Sequence, residues 1–396
     1  MTRNTRINLF PLAERAERIS LSPTLAVVQE AERLRAEGVD LVDFGPGEPD
    51  FPTPDNIKQA AMRAIAEDFT KYTPAGGIRE LREAICEWHA AQLGTHYEPK
   101  ETIASVGGKH AIFNAISVLV NPGDVVLLPV PYWVSFPEIV NYVGGRCVFV
   151  PTEEAAGFRL TAAQLQRAWV EGTKLVIVNS PNNPSGAVIA PEEFGRILNL
   201  VSGRGALLLS DECYSHFVYD GRPFSAGSLP GAKPHVIIVG SLSKTYSMTG
   251  WRLGYALAPE PIIQAMLRLQ SHSTSNPTSF VQKAAIQALR GPQESVGVML
   301  AEYARRRDHI IAGLNKLPHV TCAQPAGAFY AYPNVSEFMR RAGLADTVAL
   351  ARKLLNEARV VVVPGQAFGT SEHIRISYAT SMAQIEEGLR RLEKLF

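Results

Sequence analysis

Cysteine is scarce in this 396-residue sequence: Cys86, Cys147, Cys213 and Cys322 are the only four, and none pair at the short spacings of zinc or redox motifs. Scattered thiols of this kind suit a reduced cytosolic core. The nine histidines are equally dispersed, with no HExxH-type pair, so metal catalysis is disfavoured. An excess of either charge is also lacking. The formal net charge is +1, which offers neither a basic nucleic-acid surface nor an acidic tail. No window approaches the ~20 uninterrupted apolar residues of a membrane span. The N-terminus, MTRNTRINLFPLAERAERIS, has no apolar signal run and carries acids among its arginines. By elimination the expectation is a cytoplasmic protein whose partners are small polar molecules, not nucleic acid or membrane.

What is present is ordinary globular composition, 46% hydrophobic and 19% charged, enough for a large domain and a smaller one. No internal repeat interrupts it. Short apolar runs at Thr102–Val106, Val125–Pro129, Cys147–Val150, Leu175–Asn179, Ala206–Ser210, Val236–Val239 and Leu253–Ala258 alternate with amphipathic stretches. The stretches Arg79–Leu93, His110–Leu119, Glu192–Val201 and Ile262–Gln270 read as helices. This alternation predicts an α/β fold with a mostly parallel seven-stranded sheet and helices on both faces. The last hundred residues change character. A long helical stretch over Gln282–Leu317 passes into strand-like runs at Ala328–Tyr332, Val360–Val363 and His373–Tyr378, which predicts a smaller α+β domain. An apolar helix at Leu25–Arg35 and a short run at Val39–Phe44 precede the first turn-rich loop and join that smaller unit. The expected division is 1–49 as arm and part of the small domain, 50–295 as the large domain, and 296–396 as the small one.

In an open parallel sheet, ligands bind beyond the carboxyl ends of the strands. The residues just past the runs include Gly107-Gly108-Lys109, Pro131-Tyr132-Trp133, the loop Asn179–Pro184, Asp211–Tyr214 and Ser241–Lys244. Asn179, Asp211 and Lys244 are spaced by 32 and 33 positions, about one βαβ unit each, so their clusters should converge on one cleft. Lys244 directly follows HVIIVG and SLS; an apolar wall would lower its pKa and free a neutral nucleophile. A plain surface lysine, or the S-x-x-K of a serine acyl-enzyme, are the rival readings. The latter also needs S-D-N and K-T-G, where the chain has only Ser210-Asp211-Glu212 and Lys244-Thr245-Tyr246. Asp211 closes LLLS, and a ring N–H⁺ of a cofactor is the partner that would hold a buried carboxylate ionised; a helix cap is the simpler alternative. Tyr214 stands close enough to offer its phenol to the same ring.

Gly107 and Gly108 precede a helix whose free N–H groups suit a phosphate. Arg252, Ser241 and Ser243 could add to that cup, while Arg252 could equally be a surface cation. Trp133 is either core or a stacking face. Asn183, in PNNPSG, marks a loop and matters only if its amide enters the cleft. Arg375 sits in the alternation HIRISY; pointing inward it would clamp an α-carboxylate through two parallel hydrogen bonds, and pointing outward it would simply be solvated.

With these residues in place, the chain resembles a class I, fold type I aminotransferase, most of all the bacterial aspartate aminotransferase branch. The resemblance runs nearly end to end: GPGEPDFPTP (45–54), KYTPAGG (71–77), VGGKHAIFN (106–114), PYWVSFPE (131–138), NSPNNPSGAV (179–188), SDECY (210–214), SLSKTYSMTGWRLGY (241–255), PAGAFY (325–330) and HIRISYAT (373–380). It implies a pyridoxal 5'-phosphate enzyme moving an amino group from an L-amino acid to a 2-oxo acid by ping-pong kinetics. It further implies that Lys244 carries the cofactor as a Schiff base and shuttles the proton, and that Asp211 pairs with the pyridine nitrogen. Tyr214 and Asn183 would hold the ring's 3-oxygen, and Trp133 would stack on the ring. Gly108, the main chain of Lys109, Ser241, Ser243 and Arg252 would bind the phosphate, with Tyr72 arriving from the partner subunit of a homodimer. Arg375 would clamp the substrate carboxylate with help from Gly47 and Asn183.

One departure concerns the N-terminal segment. Many members of this branch carry a lysine before the proline that opens the first helix, facing an acidic substrate side chain. Here that position is Ser22. Without another cation, alanine, aromatic or prephenate-type substrates become credible, as do β-lyase relatives on the same fold. A regulatory module of the same fold would need a DNA-binding domain ahead of it, and the 45 or so residues before GPGEPD contain no helix-turn-helix.

Overall fold

The computed structural model describes residues 11–20 and 25–396. A two-residue strand, β1 (Val42–Asp43), precedes the seven strands of the main sheet. These are β2 (Thr102–Ser105), β3 (Val125–Val130), β4 (Arg146–Pro151), β5 (Thr173–Asn179), β6 (Leu207–Asp211), β7 (Val236–Ser241) and β8 (Gly254–Leu257), in the order β2-β8-β7-β6-β5-β3-β4. Each of the seven apolar runs between Thr102 and Ala258 contains a strand of this sheet. Only β8 runs against its neighbours β2 and β7; the other pairings are parallel.

Successive side chains of a strand point to opposite faces, and both faces of this sheet are apolar. Val176, Val178, Leu208, Val236 and Ile238 pack into one buried cluster with Leu81 and Ile85 of helix Arg79–Leu93 and Ile197 of helix Pro191–Gly203. Leu175, Ile177, Leu209, Ile237 and Val239 pack into another with Ile112 and Ile116 of helix Gly108–Leu119 and Met266 of helix Glu260–Ser271. Each such side chain contributes roughly 1.5–3 kcal/mol when fully buried, so a strand buried on both faces reads as a continuous apolar run.

The long helical stretch expected over Gln282–Leu317 is two helices, Ser279–Arg290 and Glu294–Leu314. Gly291-Pro292 interrupts it, because proline lacks an N–H and disfavours helical geometry in the residue before it. Likewise Val360–Val363 is not one strand. β10 (Val360–Val361) pairs in parallel with β1, whereas β11 (Val363–Pro364) joins β12 (Ile374–Ser377) and β9 (Tyr330–Ala331) in a three-stranded antiparallel sheet. β1 therefore meets the C-terminal part of the chain. A third apolar cluster contains Phe44, Tyr303, Phe329, Tyr330, Ile374 and Ile376, and Tyr214 and Phe217 from beyond β6 pack into it. That insertion ties the end of β6 to the C-terminal sheet. No helix among the described residues is long and apolar enough to cross a membrane.

Candidate active site

A cavity of about 350 Å³ opens beyond the carboxyl ends of β5, β6 and β7. Register brings the three polar clusters together there: Asn179 lies beside Asp211 in the sheet, Asp211 beside Val239, and Ser241 beside Gly254. All the residues to which the resemblance gives a role line this cavity except Tyr72; Gly107 stands just behind the cavity wall. Tyr72 is 92% exposed on its own chain. Ser22 lies outside the described residues.

At one end the backbone forms an anion cradle. Gly107 caps helix Gly108–Leu119 with φ 83°, a conformation that favours glycine. A Cβ on Gly107 would lie 2.8 Å from an Arg252 guanidinium nitrogen, so that cation lies directly over the loop. Arg252 Nη1 is held by the Thr249 carbonyl at 2.9 Å. Ser241 Oγ caps the short helix Leu242–Thr245, accepting from the Ser243 N–H at 3.1 Å, and donates to Ser243 Oγ at 2.9 Å. The first N–H groups of helix Gly108–Leu119 have no carbonyl to meet within the helix. Gly254 makes the close approach possible: a Cβ there would lie 2.2 Å from the Gly108 nitrogen. Backbone cannot yield as a side-chain end would. Gly254→Ala is therefore expected to lower stability by about 1–3 kcal/mol, measured as a reduced thermal midpoint; an unchanged midpoint would contradict this packing.

Beyond β6, Asp211 is buried, and burial raises its carboxyl above the usual aspartate value, opposed by hydrogen bonding at Cys213 and by the nearby Lys244 charge. Its Oδ1 accepts from the Cys213 N–H at 3.1 Å. Asp211 thus closes a turn and does not cap a helix, and a carboxylate has lone pairs left for a second partner in the cavity. No helix follows it; residues 213–216 form a turn. The adjacent acid, Glu212, faces elsewhere: its Oε1 accepts from Ser210 Oγ and the Ala226 N–H, both at 2.9 Å, and burial pushes its carboxyl up to about 7.

Lys244 projects into the same cavity and donates to the Gly47 carbonyl. Desolvation pushes its amine down to about 8. Gly47 belongs to a loop fixed on both sides. The Gly45 N–H donates to Asp43 Oδ1 at 2.8 Å, and Asp50 receives Arg306 Nη1 at 2.8 and 2.9 Å. Arg375 faces inward and is 8% exposed. Its Nη2 donates to the Gly45 carbonyl at 2.6 Å and its Nη1 to Asn183 Oδ1 at 3.0 Å, while its buried Nε has no partner among the described residues. A guanidinium with an unpartnered N–H beside a cavity has the chemistry to receive a carboxylate. Trp133 lines the wall, with the Lys109 ammonium 5.1 Å from its ring centre.

Sequence reasoning missed Ile112, Thr249 and Tyr330 as lining residues, and it brought Asn179 and Cys213 to the cleft without giving either a role. Asn179 had a signal, a polar residue ending an apolar run; its amide donates to the Asp211 carbonyl at 3.1 Å and its Oδ1 receives the Asn183 N–H at 2.8 Å. Tyr330 had none, since a tyrosine within AFYAY reads as core.

The family model for Aminotransferase class I and II matches residues 39–392. The chain belongs to this family. This aminotransferase is 43% identical to an aspartate aminotransferase of Geobacillus stearothermophilus over 97% of its own length and 98% of the relative's. It is 42% identical to a probable aspartate/prephenate aminotransferase of Aquifex aeolicus, with the same coverage. Among solved structures, the aspartate aminotransferase from Thermus thermophilus with maleate superposes with a TM-score of 0.92 at 40% identity, covering 98% of this chain and all of that one.

Proposed function

We propose that this aminotransferase holds pyridoxal 5'-phosphate in the 350 Å³ cavity and uses it to move the amino group of aspartate or a related acid to a 2-oxo acid such as 2-oxoglutarate. The observation that carries the reading is the placement of Lys244 and Asp211 in one cavity, with the glycine–arginine cradle and Arg375 lining it as well. When bound, the cofactor supplies an electron sink for the pair left at a substrate's Cα. The chain's own residues do the rest. Gly108, the Lys109 N–H, Ser241, Ser243 and Arg252 would bind the phosphate. The buried negative charge of Asp211 would favour a protonated ring nitrogen. Tyr214 and Asn183 would give hydrogen bonds to the ring's oxygen, and Trp133 would offer it an aromatic face. Arg375 and Asn183 would orient the α-carboxylate beside Gly47, and Lys244 Nζ would be the base that holds and moves the Cα proton. Tyr72, exposed on its own chain, completes the phosphate site of a partner subunit in a homodimer. The 1–49, 50–295 and 296–396 division and a cytoplasmic location belong to the same proposal.

The preference for a second carboxylate rests on Lys109. Its ammonium lines the cavity beside Trp133, and among the described residues no carboxylate pairs with it. It is the other cation that the Ser22 position calls for. Lys109→Met should raise KM for aspartate by about tenfold, near the 1.4 kcal/mol of one charged contact, with little change for phenylalanine. The reading as a whole is tested by mixing the reconstituted protein with single amino acids and following the visible cofactor band. Aspartate and glutamate should discharge it; a response confined to alanine or phenylalanine would replace the acidic donor.

A further inference from the structure

Tyr330, on β9, is fully buried and sits at a junction of three functional groups. Its hydroxyl lies 2.7 Å from the Tyr214 hydroxyl. The Arg375 guanidinium lies 4.6 Å from its ring centre. Its oxygen stands 2.6 Å from where a Cβ on Gly47 would be. Gly47 has no positive φ, so the demand for glycine there is steric: a side chain would displace the Tyr330 hydroxyl.

Two phenols facing each other share a single hydrogen bond, and only one of them can donate. Among the described residues the Tyr330 hydroxyl has no hydrogen-bond partner except Tyr214, whereas Tyr214, which lines the cavity, has the cofactor oxygen as a second acceptor in the proposed reading. A phenol has one proton to give. When Tyr214 gives its proton to that oxygen, the shared bond can run only from the Tyr330 O–H to the Tyr214 oxygen. We propose that Tyr330 is a positioning residue that fixes the direction of the Tyr214 O–H, aiming it into the cofactor cavity, and that its ring links this orientation to Arg375. The inference rests on the proposed pyridoxal-phosphate reading and adds to it a residue with no role there.

The charged and titratable groups around this pair are Arg375 from β12, Cys213 beside Tyr214, and Asp211, Lys244 and Arg252 on the walls of the same cavity. Glu48 acts on Lys244 from the loop that follows Gly47. None of them replaces the Tyr330 hydroxyl as a neutral donor to Tyr214.

The test is a pH titration of the visible band of reconstituted protein, wild type beside Tyr330→Phe. Phenylalanine keeps the ring under Arg375 and removes only the hydroxyl. Hydrogen bonds in series strengthen one another by roughly 10–30%. A Tyr214 freed to turn donates less well to the cofactor oxygen, which favours the protonated chromophore, so the midpoint should rise by about half a pH unit. KM for a 2-oxo acid should change by less than about twofold, because one hydrogen bond to Tyr214 is lost and the Arg375 contacts stay. Gly47→Ala, which pushes the same hydroxyl away, should move the midpoint in the same direction. An unmoved midpoint in Tyr330→Phe overturns the inference while leaving the cofactor reading intact. A wild-type protein that develops no pH-dependent band overturns both.

Discussion

Lys244→Ala is expected to abolish the visible band of the reconstituted protein and to lower turnover by roughly 10⁴-fold, the upper range for a positioned general base, with further loss because covalent tethering goes too. The effect should be this large because no second amine stands ready. Lys109, the other lysine on the cavity wall, is out beside Trp133. In the wild-type chain, desolvation pushes the Lys244 amine down to about 8. Protonation below that pH removes the base, so a rate limited by proton transfer should climb as pH rises through about 8. Measured absorbance spectra and single-turnover rates check both statements. Turnover like that of wild type in the alanine variant would end the assignment of this lysine.

Asp211→Asn should separate stability from activity. Burial raises the Asp211 carboxyl above its ordinary value and outweighs the opposing Lys244 charge, so the cofactor-free folded chain binds this proton more tightly than the unfolded chain does. Stability then falls as pH rises through the interval between the unfolded and folded values, and the penalty is complete above it. Asparagine keeps an oxygen for the Cys213 N–H and discards the charge. The cofactor-free variant should therefore melt higher than cofactor-free wild type at neutral pH. Activity should move the other way, with kcat falling roughly 10²–10³-fold, as when one preorganised electrostatic partner is lost. Pyridoxal phosphate should also raise the melting point of the variant by less than it raises that of wild type, because the buried charge it would neutralise is gone. Calorimetry with and without cofactor, together with steady-state rates, decides this. A lower melting point for the cofactor-free variant would mean that Asp211 is stabilised by groups of the chain itself.

Particular elements show how far the chain can be read without its coordinates. The seven strands were legible because each is buried on both faces: Leu175 through Val178 divide between two apolar clusters, and nothing polar interrupts them. Their ends were legible for the same reason, since Asn179, Asp211 and Ser241 mark where the apolar environment stops. The C-terminal part was less so. Val360–Val363 is one run in the sequence and two strands of different sheets in the fold, because pairing partners are chosen at long range. Tyr330 carried no local sign at all, since its function as a donor depends on a hydroxyl 116 positions away.

Composition, apolar periodicity and the order of the motifs thus fixed the α/β class, the strand ends and the chemical kinds of side chain available, because burial acts on neighbours along the chain. Direction was decided only in three dimensions. Arg375 turns inward where alternation alone left it free to be solvated, Asp211 rather than Glu212 faces the cavity, and Tyr330 meets Tyr214. Such choices depend on which hydrogen-bonding partners and charges distant segments bring within about 3 Å, and no pattern of adjacent residues encodes that distance.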